Sequence, residues 1–249
     1  MAETDEFKGQ VAAVTGGAVG IGFAICKLLA QRGAQVCILD LDEGKAVEAA
    51  KKLGEWGLEG RAYKVDVTKE NTIQAARDAI LKDFGHVEVL VNNAGIYPQA
   101  SLREITIEGW DQMFDVNAKS VLLTTRTFMD PMIEKKYGRI VTIGTIDAYN
   151  PKPTTPHYAA SKAAVLSLIK TFAAELAPHQ VLCNGVSPGA VATERAKASD
   201  WLPKRLPLIP LGRAAEPEDM AEYVVFLASN RNRFMTGETV IASGGFTMI

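Results

Sequence analysis

Tyr158-Ala-Ala-Ser-Lys162 sets a phenol and an ammonium four residues apart, so on a helix the two side chains share one face. A phenol with an ordinary pKa of about 10 is a poor base at neutral pH. A cation beside it favours the phenolate and brings proton transfer toward working range. The same pair also occurs on solvated helices, so its meaning depends on what surrounds it.

A second chemical signal is the run Thr15-Gly16-Gly17-Ala18-Val19-Gly20-Ile21-Gly22. A phosphate needs backbone N–H donors at a helix N-terminus and no side chain in the way, and glycines supply both. The Gly-x-x-x-Gly-x-Gly spacing is a variant of the dinucleotide fingerprint, which makes Gly16, Gly20, Ile21 and Gly22 candidate cofactor-binding residues. Asp40 ends the next apolar run, 18 residues past Gly22. A carboxylate there can accept from both hydroxyls of an adenosine ribose and repels a 2′-phosphate. Neither Gly17-Ala18-Val19 nor Leu41 offers a cation for that phosphate, so NAD is expected rather than NADP.

The elements that must position these groups are legible as an alternation. Short Val- and Ile-rich runs at 10–14, 35–39, 61–65, 87–91, 139–143, 180–186 and 239–242 read as buried strands. Helical periodicity fills 20–32, 42–53, 69–83, 117–136, 157–177 and 217–229. The pattern predicts an α/β fold: one Rossmann domain over 1–249, a doubly wound seven-stranded parallel sheet with helices on both faces. Ligands in such sheets lie beyond the carboxyl ends of the strands. That edge gathers Asp66, Val67, Asn93, Ala94 and Gly95 with the glycine run and Asp40. The stretch 190–215, with Pro203, Pro207 and Pro210, lacks periodicity and reads as a substrate-lid loop.

Composition bounds the function. Hydrophobic residues at 47% and charged residues at 22% allow a sizeable core. With 27 basic against 29 acidic residues the net charge is −2, which gives no field to draw nucleic acid or an anionic membrane. Cys26, Cys37 and Cys183 have neither metal-ligand nor redox-motif spacing, so no metal is expected and buried thiols in a reducing compartment explain them. Met1 to Gly9 is acidic and lacks the features of a signal peptide. No run approaches the roughly 20 apolar residues of a membrane span. A cytoplasmic protein without membrane contact is the expectation.

The ordered motifs together resemble the short-chain dehydrogenase/reductase family over nearly the whole chain: the glycine run, Asp66-Val67, Asn92-Asn93-Ala94-Gly95, Asn117, Thr145, Tyr158-x-x-x-Lys162 and Asn184-x-x-x-Pro188-Gly189. The resemblance implies an NAD-dependent enzyme that interconverts a secondary alcohol and a carbonyl, with Tyr158 as general acid/base. Lys162 would lower its pKa and bind the nicotinamide ribose, and Asn117 would anchor a water relaying protons to Lys162. Thr145 stands where the family usually has serine, 13 positions before the tyrosine, and would hold the substrate oxygen. Pro188, Gly189, Val191 and Thr193 resemble the family's contacts to the nicotinamide amide and phosphate. The resemblance also implies a homotetramer built on the helices near 117–136 and 157–177 and the tail Phe246 to Ile249.

Tyr97, Gln99, Asp147, Tyr149 and His157, with Arg195 and Trp201 from the lid, are the candidate substrate neighbours by their place after the fourth to sixth strands. Their hydrogen-bonding groups lean toward a polar small molecule, although each is also explained by packing or by a solvated loop. Two other readings stay open. One is a 3-oxoacyl-acyl-carrier-protein reductase, a branch that usually uses NADPH and against which Asp40 argues. The other is a regulator that senses NAD without chemistry, which the intact Tyr158 and Lys162 oppose.

Overall fold

Alternate residues of the first strand face opposite ways, and both sets are apolar. Val11 and Ala13 enter one buried cluster, Ala12 and Val14 another. A strand buried on both faces belongs in the middle of a sheet covered by two helical layers. The computed structural model, which describes residues 5–249, has that arrangement; residues 1–4 of the acidic start lie outside the described residues.

The chain runs β1 (Val11–Thr15), α1 (Gly20–Gln31), β2 (Gln35–Asp40), α2 (Glu43–Glu55), β3 (Gly60–Lys64), α3 (Glu70–Phe84), β4 (Val89–Asn92) and α4 (Ile107–Phe114). It continues through α5 (Ser120–Lys135), β5 (Gly138–Ile143), α6 (Pro156–Leu176), β6 (Val181–Pro188), α7 (Glu194–Lys197), α8 (Trp201–Arg205), α9 (Pro217–Ala228) and β7 (Thr239–Ala242). All seven strands are parallel in the order β3-β2-β1-β4-β5-β6-β7. This is the doubly wound seven-stranded sheet expected from the sequence. The strand order reverses between β1 and β4, and the crevice beyond their carboxyl ends is the place for a ligand. One cluster joins Val14 and Ile38 to Leu29 of α1, Leu53 of α2 and Val224 of α9. The other joins Ala13 and Leu39 to Ile80 of α3, Phe128 of α5 and Val165 of α6. All three cysteines are buried and unpaired, and burial pushes the thiols of Cys37 and Cys183 up to about 12.

Three elements depart from the sequence reading. The helix expected over 117–136 is the second half of a longer run, in which α4 leads through one wide π turn, Asp115–Lys119, into α5. Thr106 starts α4 by accepting the Gly109 N–H at 3.0 Å, a cap visible in the sequence but not used. The lid is not a plain loop. Thr193 caps α7, and Pro203 falls in the first turn of α8, where its missing N–H costs nothing. Phe246, expected at a subunit contact, packs instead on the lid cluster of Ala192, Leu202 and Ile209, leaving Met248 and Ile249 exposed. Among the described residues no helix is long and apolar enough to cross a membrane.

Candidate active site

The turn between β1 and α1 is shaped by atoms that leave no room for side chains. Gly16 and Gly20 have φ of 61° and 57°, the left-handed region that favours glycine. A Cβ on Gly22 would lie 2.1 Å from the Gly16 carbonyl oxygen. Among the described residues no side chain caps α1, whereas Asp42 caps α2, Thr106 caps α4 and Thr193 caps α7. An uncapped N-terminus behind a glycine turn offers its backbone donors to an anion.

The end of β4 is strapped to this turn. The Thr15 hydroxyl accepts from the N–H groups of Asn93 (3.0 Å) and Ala94 (3.1 Å). The Asn93 amide donates to the carbonyls of Thr15 (3.0 Å) and Gly16 (2.9 Å). Asn93, read from sequence as a cofactor contact, thus spends its side chain on the shape of the turn. At the end of β2, Asp40 accepts from the N–H groups of Ala18 (3.2 Å) and Asp42 (3.1 Å), which turns its carboxylate toward the glycine turn. Asp66 accepts from the Thr68 hydroxyl at 2.6 Å and from its N–H at 3.0 Å. The hydroxyl above all holds that carboxyl below the usual range. Val67 packs on the core beside it.

The catalytic candidates converge from α6, β5 and the π turn. Lys162 is buried and donates to the Ile143 carbonyl at 2.7 Å. Burial pushes its ammonium down to about 8, with no opposing acid. Asn117 is fully buried, accepts from the Ile96 N–H at 2.8 Å, and donates to the Ile96 carbonyl at 2.9 Å and the Ser161 hydroxyl at 3.2 Å. The extra residue of a π turn rotates the succeeding helix by about 100°, and here the turn presents Asn117 inward. Its side chain is committed, so a water serving Lys162 would have to be held by other atoms of the turn. Ser161, given no role from sequence, is the link: its hydroxyl donates to the Tyr158 carbonyl at 2.8 Å. Gly95 closes the cluster, since a Cβ there would lie 3.2 Å from Asn117 Oδ1 and 3.7 Å from Lys162 Nζ.

Tyr158 is half-buried, its ring edge-on to Tyr97 with centroids 6.2 Å apart. Burial pushes the phenol above its ordinary value, the Thr145 hydroxyl pulls it down, and the Asp147 carboxylate pushes it up. Lys162 is the residue expected from sequence to acidify the phenol. Its ammonium is turned to Ile143, two residues before Thr145, and acts on the strand end that carries the hydroxyl partner.

Tyr158 and Thr145 face a cavity of about 250 Å³. Ile21, Pro188, Gly189, Val191 and Thr193 line the side of it next to the glycine turn, where Thr193 comes 3.4 Å from where a Cβ on Gly20 would stand. Val191 bridges to Ala215, which pins the base of the lid. Tyr97, Gln99, Thr145, Asp147 and Trp201 also line it, and Arg195 stacks over Tyr97 at 4.1 Å. Tyr149 and His157 are corrections: neither lines the cavity. His157 neighbours Tyr158 on α6, so the helical twist carries it into the protein, where burial lowers its pKa. Tyr149 lies past the short turn after Thr145. Lys152, Thr155 and Arg205, unremarked in the sequence, belong to the cavity wall.

A family model described as Enoyl-(Acyl carrier protein) reductase matches residues 16–247. The chain is 35% identical to 2-(S)-hydroxypropyl-CoM dehydrogenase 3 of Xanthobacter autotrophicus, covering 99% of this chain and 100% of that one. It is 36% identical to cyclopentanol dehydrogenase of Comamonas testosteroni, covering 96% and 97%. With the 3-oxoacyl-acyl-carrier-protein reductase of Escherichia coli it shares 35% identity over 98% of this chain and 99% of that one. The crystal structure of a short-chain type dehydrogenase/reductase from Mycobacterium marinum superposes with a TM-score of 0.94 at 30% identity, covering 98% of each chain.

Proposed function

The chain belongs to the short-chain dehydrogenase/reductase family, and from that membership we propose that it interconverts a small secondary alcohol and its carbonyl with NAD(H), Tyr158 moving the proton. It is an oxidoreductase acting on CH–OH groups with a nicotinamide cofactor; the choice of NAD, the residue roles and the assembly are our reading. The observation that carries it is the Tyr158 phenol, with Thr145, in the wall of a cavity also lined by Ile21, Gly189 and Thr193.

The chain's donors fit a dinucleotide. The uncapped N-terminus of α1 and the glycine turn suit its pyrophosphate, and Asp40 suits the adenosine ribose. Asp66 and Val67 stand at the adenine side. Ala94, Gly95, Pro188, Val191, Tyr158 and Lys162 would hold the nicotinamide half, with Asn93 holding the turn. When bound, the dinucleotide supplies the hydride in reduction and takes it in oxidation. Thr145 and Tyr158 donate hydrogen bonds to the substrate oxygen, where negative charge develops in reduction. The Tyr158 hydroxyl gives its proton to that oxygen and is left as a phenolate, and in oxidation the phenolate takes the alcohol proton. Lys162 holds the β5 end through Ile143 and keeps a positive charge beneath the site below about pH 8. The lid from Ala190 to Ala215, with α7 and α8, covers the substrate and excludes water.

Asp40→Ala raises the dissociation constant of NAD about tenfold, the loss of hydrogen bonds to an ionised acceptor, and narrows the gap between NAD and NADP. Steady-state kinetics with both dinucleotides read this, and an unchanged preference overturns the assignment of Asp40. The same carboxylate weighs against a 3-oxoacyl-acyl-carrier-protein reductase, although relatives of that kind are equally similar. Turnover of an acetoacetyl thioester with NADPH would favour that second reading.

A homotetramer is supported by exposed apolar Ile107, Trp110 and Leu122 on α4 and α5 and by the exposed tip Met248-Ile249. A monomer in sedimentation velocity contradicts it. A cytoplasmic setting is supported by three buried thiols left unpaired, and oxidation of these cysteines to disulfides in the native protein would contradict it.

A further inference from the structure

Three of the residues lining the substrate cavity are charged: Asp147, Lys152 and Arg205. Asp147 is buried and ion-paired to Lys152, so those two charges cancel. Arg205 is left over. It reaches the cavity from α8 of the lid, half-buried, its guanidinium stacked over the Phe246 ring at 4.6 Å. Among the described residues no carboxylate pairs with it. Stacking fixes the plane of a guanidinium and leaves its edge N–H groups for an acceptor, the geometry that suits an oxyanion. Lys152 and Arg205 line the same cavity, and while burial lowers the Lys152 ammonium's pKa and the Asp147 pair raises it, the Arg205 charge lowers it further. Thr155 of the same wall is buried, and its hydroxyl has no hydrogen-bond partner among the described residues. Tyr158, where the carbinol must lie, lines the same cavity three residues along from Thr155.

We propose that this corner of the cavity, with Arg205, Lys152 and Thr155, binds an anionic group of the substrate, so that the enzyme acts on hydroxy or oxo compounds carrying a carboxylate, sulfonate or phosphate. The proposal rests on the reading of Tyr158 as the reacting end. One charged side chain too many faces a cavity partly withdrawn from water, a cost that is offset when the substrate brings the missing negative charge. Asp147 keeps Lys152 paired before binding and leaves Arg205, on the lid side of the wall, to pull α8 down on the anion. A neutral polyol or cyclic alcohol leaves that charge unmatched.

The test is equilibrium binding to the NADH-loaded enzyme, which cannot oxidise an alcohol, by calorimetry in charged and uncharged pairs: 3-hydroxybutyrate with its methyl ester, 2-hydroxypropane-1-sulfonate with the corresponding methyl sulfone, and glycerol 3-phosphate with glycerol. The charged member of at least one pair binds roughly 10- to 100-fold more tightly, as a charge-assisted bond to a stacked arginine allows. The pair that shows it identifies the anion. In Arg205→Met the ratio collapses toward one through loss of charged-ligand affinity, and Arg205→Lys restores part of it; a melting curve confirms that both variants fold. Equal affinity within every pair, no binding of any charged member, or a ratio that survives Arg205→Met overturns the proposal. Binding is read without turnover, so this failure is separate from failure of the redox reading: an enzyme that prefers neutral alcohols but loses activity in Tyr158→Phe keeps its chemistry and loses only this subsite.

Discussion

Tyr158→Phe loses at least about 10³-fold in kcat, within the range for removing a general acid/base, while its melting temperature and its affinity for NAD stay at the parent values. The substitution deletes one oxygen. The ring keeps its edge contact with Tyr97, and Thr145 keeps its 3.2 Å bond from the Asp147 N–H. Burial raises the phenol and Thr145 lowers it, so the hydroxyl enters the reduction as a proton donor to a developing alkoxide, and in oxidation it must first ionise so that the phenolate takes the alcohol proton. Steady-state kinetics beside a fluorescence titration of NAD separate chemistry from binding. A variant that keeps turnover, or loses it only because NAD no longer binds, removes Tyr158 from its role.

Lys162→Met loses activity and gains stability, an opposed pair of effects that an ordinary core residue does not give. Activity falls by about 10²-fold or more, because the strand end carrying Thr145 loses the donor bonded to Ile143 at 2.7 Å and the site loses its cation. Stability moves the other way because burial lowers the folded pKa from 10.5 to about 8. Below about pH 8 both states carry the charge and the folded state bears the whole penalty, of the order of 3 kcal/mol. Between about 8 and 10.5 the folded protein has released the proton while the unfolded chain keeps it, so the parent gains stability as pH rises. Above that window both are neutral and the penalty is gone. Lys162→Met therefore exceeds the parent most at pH 7, and its advantage shrinks toward pH 10. Urea unfolding at both pH values reads the difference, and a gap that does not change with pH contradicts a charged, buried Lys162.

The sheet was legible because each strand is a short apolar run with both faces buried. A residue such as Val14 or Ile38 signals burial whatever its neighbours, and the turn residues between runs mark the edges. The glycine turn was legible for a similar reason: Gly22 has no room for even one carbon. What the sequence hid was direction. His157 and Tyr158 are adjacent letters, yet 100° of helical twist sends one into the core and the other to the cavity. The π turn at Asn117 has no periodic signature, because it is set by the bonds of one side chain to Ile96, 21 positions away. Lys162 shared a face with Tyr158 as its spacing requires, but the carbonyl that captures its ammonium belongs to another strand. Arg205 looked like one more charge in an irregular stretch until α8 carried it over the cavity.

The central claim is that Tyr158 and a nicotinamide dinucleotide act on one carbinol carbon. It is tested most directly with a secondary alcohol deuterated at that carbon, by mass spectrometry of the dinucleotide after turnover. The account predicts one deuterium in each reduced nicotinamide from the parent enzyme, and almost no labelled product from Tyr158→Phe under the same conditions. Reduced dinucleotide without deuterium, or equal labelling by the variant, contradicts it.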